Sequence, residues 1–161
     1  MDFEQRLQKA IERGQHRKNE RGREAAQQEM TEDELRQLHT SARLELSEKI
    51  ETGLKKLADH FPGFQSETMF GDRGWGAACS RDDLGPGMDG KRASYYSRLE
   101  MTIRPYSDLN VVELTSKGTI RNKELFNRTH FEEIKDVDEE TFITLIDAWV
   151  LEYAEQFAAV S

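Results

Sequence analysis

Residues 94–126 read SYYSRLEMTIRPYSDLNVVELTSKGTIRNKELF, and the spacing inside this stretch decides the fold. Tyr95, Leu99, Met101 and Ile103 fall on alternate positions, with Tyr96, Arg98, Glu100, Thr102 and Arg104 between them. That is the period of a strand with one apolar and one charged face. Val112 and Leu114 alternate with Glu113 and Thr115 in the same way, and Lys117-Gly118 offers positive φ for a tight reversal before Thr119 and Ile120. A ribbon built like this needs a cover for its apolar side.

Two helical segments can supply that cover. Thr31-Glu32-Asp33-Glu34 is a capping box, and Leu35, Leu38, Ala42, Leu46, Ile50, Leu54, Leu57 and Phe61 then hold one face until Pro62-Gly63 stops the run. Their mean spacing, about 3.7 residues, is that of a straight helix rather than a left-handed coiled coil. Near the other end, Asp138 stands where a helix cap belongs, with Asp136, Glu139 and Glu140 beside the positive helix terminus. Phe142, Leu145, Ile146, Trp149, Val150, Tyr153 and Phe157 follow as a wide apolar face, expected in the core rather than around a cofactor. The expected fold is therefore α+β: an antiparallel β-meander of about four to five strands, covered on one face by a long N-terminal helix and a C-terminal helix. Residues 31–161 should form this single domain and residues 1–30 a polar, basic helical arm.

Composition agrees with one domain plus an extension. The 161 residues are 36% hydrophobic and 34% charged, with mean hydropathy −0.81 and net charge −8. Residues 1–30 carry seven Lys/Arg and six Asp/Glu, whereas the rest carry 16 and 25. An acidic body repels phosphate backbones, so nucleic acid is an expected partner only through the arm. No run is long and apolar enough for a membrane span, and MDFEQRLQKA lacks the apolar core of a secretory signal. No membrane association is expected. The single Cys79 cannot close an internal disulfide, which fits a reducing, cytoplasmic setting.

Within the arm, Phe3, Leu7 and Ile11 form a short stripe that stops early, and Arg13, His16, Arg17, Lys18, Arg21 and Arg23 form a basic cluster broken by Gly14, Glu20 and Gly22. The simplest reading is a solvated linker helix; the functional one is contact with an acidic partner or nucleic acid. Residues 64–80 read as two short strands around the glycine-rich Gly71–Gly76, whose spacing matches no phosphate cradle. Residues 82–90, DDLGPGMDG, read as a plain connector without the alternating oxygen ligands of a calcium loop.

Candidate chemistry gathers after the meander. The alternation breaks at Asn122–Glu124, and such breaks mark function or strain. Arg121, Lys123, Asn127 and His130 could there meet Arg98, Glu100 and Arg104 on the polar sheet face, a set suited to an acidic peptide or a phosphate. The plainer reading is that these charges solvate an edge strand. Catalytic arrangements fare worse: Cys79 with His60 or His130 has no flanking signature, and Glu133-x-Lys135 with Asp108 is a near-chance outline of a metal-dependent nuclease site. No metal-ligand spacing is present, so neither metal nor cofactor is expected.

A helix over 31–61 would be about 45 Å long, against a diameter of about 36 Å for a body of this size. Its overhanging stripe would seek a second subunit, hence an expected homodimer through the 31–61 helix. In size, charge and element order alone the chain is similar to dimeric partner-binding chaperones of secretion systems, a likeness that no residue carries. The sequence specifies no reaction. It fits a non-catalytic protein-interaction or regulatory module that holds an acidic or macromolecular partner by the polar sheet face or the arm. The alternative is a small enzyme acting on an anionic or phosphorylated small molecule through Arg98, Glu100, Arg121 and His130.

Overall fold

A computed structural model describes residues 2–28 and 30–160, without the side chains of 24–28; Met1, Glu29 and Ser161, at the edges of the expected arm and domain, lie outside the described residues. The chain divides into two compact units, Met1–Glu34 and Leu35–Ser161.

The first unit is dominated by one helix, α1 (Phe3–Gln28). Asp2 caps it, its Oδ1 accepting the Gln5 N–H at 2.9 Å. The apolar stripe does end at Ile11, but the helix runs on through Gly14 and Gly22. Gln, Arg and Glu are good helix formers, and His16 pairs with Glu20 one turn on at 3.2 Å. Phe3, Leu7 and Ile11 all stay exposed.

In the second unit five strands form one antiparallel sheet: β1 (Gln65–Met69), β2 (Trp75–Pro86), β3 (Arg92–Ile103), β4 (Val111–Ile120) and β5 (Lys123–Glu133), in spatial order β1-β2-β3-β4-β5. Helix α2 (Glu32–His60) precedes them and α3 (Glu139–Val160) follows. Both start as the sequence dictates: Thr31 Oγ1 accepts the Glu34 N–H at 3.1 Å, and the Asp138 carboxylate takes the Glu140 N–H at 3.2 Å and the Thr141 hydroxyl at 3.0 Å.

Every second sheet residue faces the helices. Cys79, Leu99, Gly118 and Phe126 sit in one cross-strand row, Ala77, Met101 and Ser116 in the next, and Trp75, Ile103, Leu114 and His130 in a third. Against these pack Leu46, Ile50 and Leu54 of α2 and Phe142, Ile146, Tyr153 and Phe157 of α3, all fully buried. The Tyr153 hydroxyl donates to the Thr119 carbonyl at 2.8 Å, tying α3 to β4. Gly118 carries no side chain here because a Cβ would stand 3.1 Å from both the Phe126 and Tyr153 rings. Cys79 lies in this core, its thiol pushed up to about 11 by burial, so it behaves as a small hydrophobe rather than a nucleophile.

Two expectations need correction. Lys117-Gly118 is not a reversal: β4 runs through it, and the chain turns at Arg121 (φ 49°) and Asn122 (φ 70°), the two left-handed residues of a tight hairpin. Asparagine accepts that conformation readily, and Asn122 is held by its side chain, which accepts the Tyr96 N–H at 2.8 Å and donates to the Ser94 carbonyl at 2.9 Å. The break in alternation at 122–124 is therefore this turn, followed by the irregularity opposite Gly118/Thr119. Residues 82–86 are not a connector either, since they pair with Arg92–Tyr96 and extend β2 into a long hairpin closed by a turn at Met88–Gly90. The α2 stripe covers the sheet as expected, with Ala42, Leu46, Ile50, Leu54 and Leu57 buried, while Leu38 near its start stays exposed. Among the described residues no helix is long and apolar enough to cross a membrane.

Candidate binding face

The other side of the sheet is free of α2 and α3, and its rows are polar. Glu67, Ala78, Glu100, Lys117 and Asn127 share one row; Met69, Gly76, Thr102, Thr115 and Thr129 share the next. Beyond it the chain brings Arg104, whose N–H donates to the Glu113 carbonyl at 2.9 Å, alongside Glu113 and its β5 partner Phe131. A shallow trough of about 410 Å³ runs over the threonine row, lined by Arg73, Glu100, Arg104, Lys117, Asn127 and Thr129 among others.

Level with the trough, β2 contributes almost no side chain to this face, only Gly76, Ala78 and Ser80, with Gly74 just before the strand; the exposed Asp82 and Leu84 share the same parity further along. A Cβ at Gly76 would lie 1.9 Å from the Met101 carbonyl oxygen and one at Gly74 (φ 122°) 2.2 Å from that of Ile103, so β2 is set too close to β3 for anything larger. Long side chains from both neighbours close over the gap. Arg98 Nη1 donates to Glu67 Oε1 at 3.0 Å, Arg98 Nε and Nη2 both reach Glu100 Oε2 at 3.3 Å, and Nη2 lies 3.8 Å from the Met69 sulfur. Partial burial pulls the Arg98 guanidinium down, but the Tyr96 hydroxyl and the Glu67 and Glu100 carboxylates more than offset that and hold it above its ordinary value.

The other polar contacts split the face into engaged and unengaged groups. Arg104 Nε meets Glu113 at 3.3 Å, and the Thr102 and Thr115 hydroxyls bond each other at 2.8 Å. Lys117 and Arg73 form no ion pair among the described residues, although the chain as a whole carries −8.

Of the seven residues expected to form a site, four lie on this face: Arg98, Glu100, Arg104 and Asn127. The other three do not join them. His130 faces the helices, edge-on to the Phe142 ring at 4.9 Å, with Nε2 2.6 Å from Glu132. Arg121 is in the β4–β5 turn and lies over the Tyr95 ring at 4.2 Å. Lys123 is exposed opposite Ile120 at the same turn. Register explains the split: Ile120 and His130 share the helix-facing parity, which a single sequence cannot assign until the turn between them is placed.

Sequence reasoning missed Arg73, Lys117 and the threonine row. The signal was there, because Thr102 and Thr115 alternate with the apolar residues of strands already recognised; only the pairing that aligns them was missing. It missed His39 as well. This α2 residue is 2% exposed, its Nε2 lies 3.1 Å from the Arg104 carbonyl, and the Tyr106 ring stands edge-on at 5.8 Å. Burial holds its pKa below the usual histidine value despite the hydrogen bond, and the Arg43 charge adds to the effect. Neutral His39 thus donates Nε2–H to that carbonyl and anchors the strand end from which Arg104 enters the trough.

No family model, no curated protein and no solved structure matches the chain.

Proposed function

We propose that the protein is a non-catalytic interaction module whose open sheet face holds an acidic segment of a partner protein. The observation that carries this reading is the pair of unengaged cations, Lys117 and Arg73, on the walls of a trough in a strongly acidic chain. Two cations that line one trough without an ion-pair partner can both be engaged by one acidic segment, and Asn127 and Thr129 line the same trough with hydrogen-bonding groups. An enzyme working through Arg98, Glu100, Arg121 and His130 finds no comparable support, because the last two side chains stand at the turn and on the helix side.

The test is a fluorescence-anisotropy titration with a labelled octaglutamate peptide at low salt. The wild-type protein should bind it, and the double variant Arg73→Glu/Lys117→Glu should bind at least about tenfold more weakly. Equal binding by both proteins, or none by the wild type, overturns the reading.

A further inference from the structure

Two exposed aromatic rings stand at opposite ends of the trough. Phe70 follows β1 and is 78% exposed; it lines a smaller depression that shares Met69 and Arg73 with the trough. Phe131, 62% exposed, lies on β5 at the far edge, opposite Glu113 in register and two residues on from Thr129 on the same face. Between them run β2, β3 and β4. Four inter-strand steps of about 4.8 Å make roughly 19 Å, the length of about six residues in extended conformation.

Resting on the reading above, we infer that the open face takes an extended peptide laid across the strands, with an apolar residue on Phe70, an apolar residue on Phe131 and acidic residues between. Charge and polarity both fit that occupant. Arg73, between β1 and β2 at the Phe70 end, and Lys117 on β4 supply cations along the trough, whereas its two ends offer phenyl rings that otherwise remain in water. The groove bottom is stiff, because Gly76 locks β2 against β3 and the Thr102 and Thr115 hydroxyls bond each other, so little order has to be imposed on binding.

Three labelled peptides test this: LEEEEL, in which leucines flank a run of glutamates, its counterpart GEEEEG with glycine ends, and the shorter LEEL. The long leucine-ended peptide should bind about tenfold more tightly than the glycine-ended one, and LEEL, too short to reach both rings, should lose most of that gain. Phe70→Ala and Phe131→Ala, both at exposed positions and checked for folding by circular dichroism, should each remove about threefold of it. If GEEEEG binds as well as LEEEEL, or if neither phenylalanine matters, the aromatic clamp is wrong while the acidic site survives. If Arg73→Glu/Lys117→Glu leaves the binding of every peptide unchanged, or nothing binds, both fall.

Discussion

The two faces of one sheet are built by different rules from the same strands. On the helix side the rows are Leu99, Met101, Ile103 and Leu114, pressed against α2 and α3 and fully buried. On the open side the same strands set Arg98 against Glu67 and Glu100, Arg104 against Glu113, and Thr102 against Thr115. Stability comes from the first face because apolar burial is worth about 1.5–3 kcal/mol per large side chain. Partly exposed ion pairs contribute about 0–1 kcal/mol. The open face is thus at liberty to vary, as the helix face is not.

That contrast predicts a wide gap in unfolding free energy. Leu114→Ala, at a fully buried position, should cost about 2–5 kcal/mol in denaturant titration. Lys117→Ala, three residues along the same strand but pointing outward, should stay within about 0.5 kcal/mol while weakening capture of the acidic peptide. Similar costs for the two would mean that the faces are not separated as described.

Gly76 breaks the symmetry of the comparison in a useful way. It belongs to an open-face row, yet its added Cβ would meet the Met101 carbonyl oxygen at 1.9 Å, and backbone cannot step aside as a side-chain end can. Gly76→Ala should therefore behave like a core lesion, costing about 2–4 kcal/mol and damaging the trough with it. A neutral result would show that β2 and β3 are free to part.

The helix side was legible in the sequence because its signal is local. Leu46, Ile50 and Leu54 repeat at helical spacing, Leu99, Met101 and Ile103 at strand spacing, and Thr31 and Asp138 cap as their types demand. The open side was legible only in part, since it depends on which residues of different strands come level. Arg98 and Glu100 share β3, Arg104 is the next residue past its end, and the three were found together. Lys117 joins Glu100, and Thr129 joins Thr102 and Thr115, only after the turn is placed at Arg121-Asn122 rather than at Lys117-Gly118. One misplaced turn therefore moved His130 to the wrong face and hid Lys117 from the right one.

Buried His39 makes a smaller, pH-dependent contrast. Its folded pKa lies below the unfolded value near 6.5, so the unfolded chain takes up the proton first as the pH falls. Its contribution to stability is complete above pH 6.5 and is lost on acidification. His39→Gln, which keeps an N–H for the Arg104 carbonyl but cannot titrate, should flatten the fall in melting temperature between pH 7 and pH 5. An unchanged slope would place the acid sensitivity elsewhere.

The smallest effect runs in the opposite direction and concerns the joint between the two helices. Lys49 of α2 pairs with Asp147 of α3 at 3.0 Å, whereas Glu45 of α2 meets Glu139 at the start of α3. Sharing a hydrogen bond with Glu45 raises the Glu139 carboxyl to about 7; partial burial and the Glu45 and Glu140 charges add to the shift. A carboxyl raised in the folded state binds its proton there more tightly than in the unfolded chain. Its stabilisation is therefore full below pH 4.5 and disappears as the pH climbs through 7. Glu139→Gln removes that loss by keeping a neutral partner for Glu45. The variant should match the wild type at pH 4.5 and melt higher at pH 8, by no more than about 3 °C for so exposed a pair. A melting temperature at pH 8 that stays put or falls would mean the two carboxylates do not share a proton.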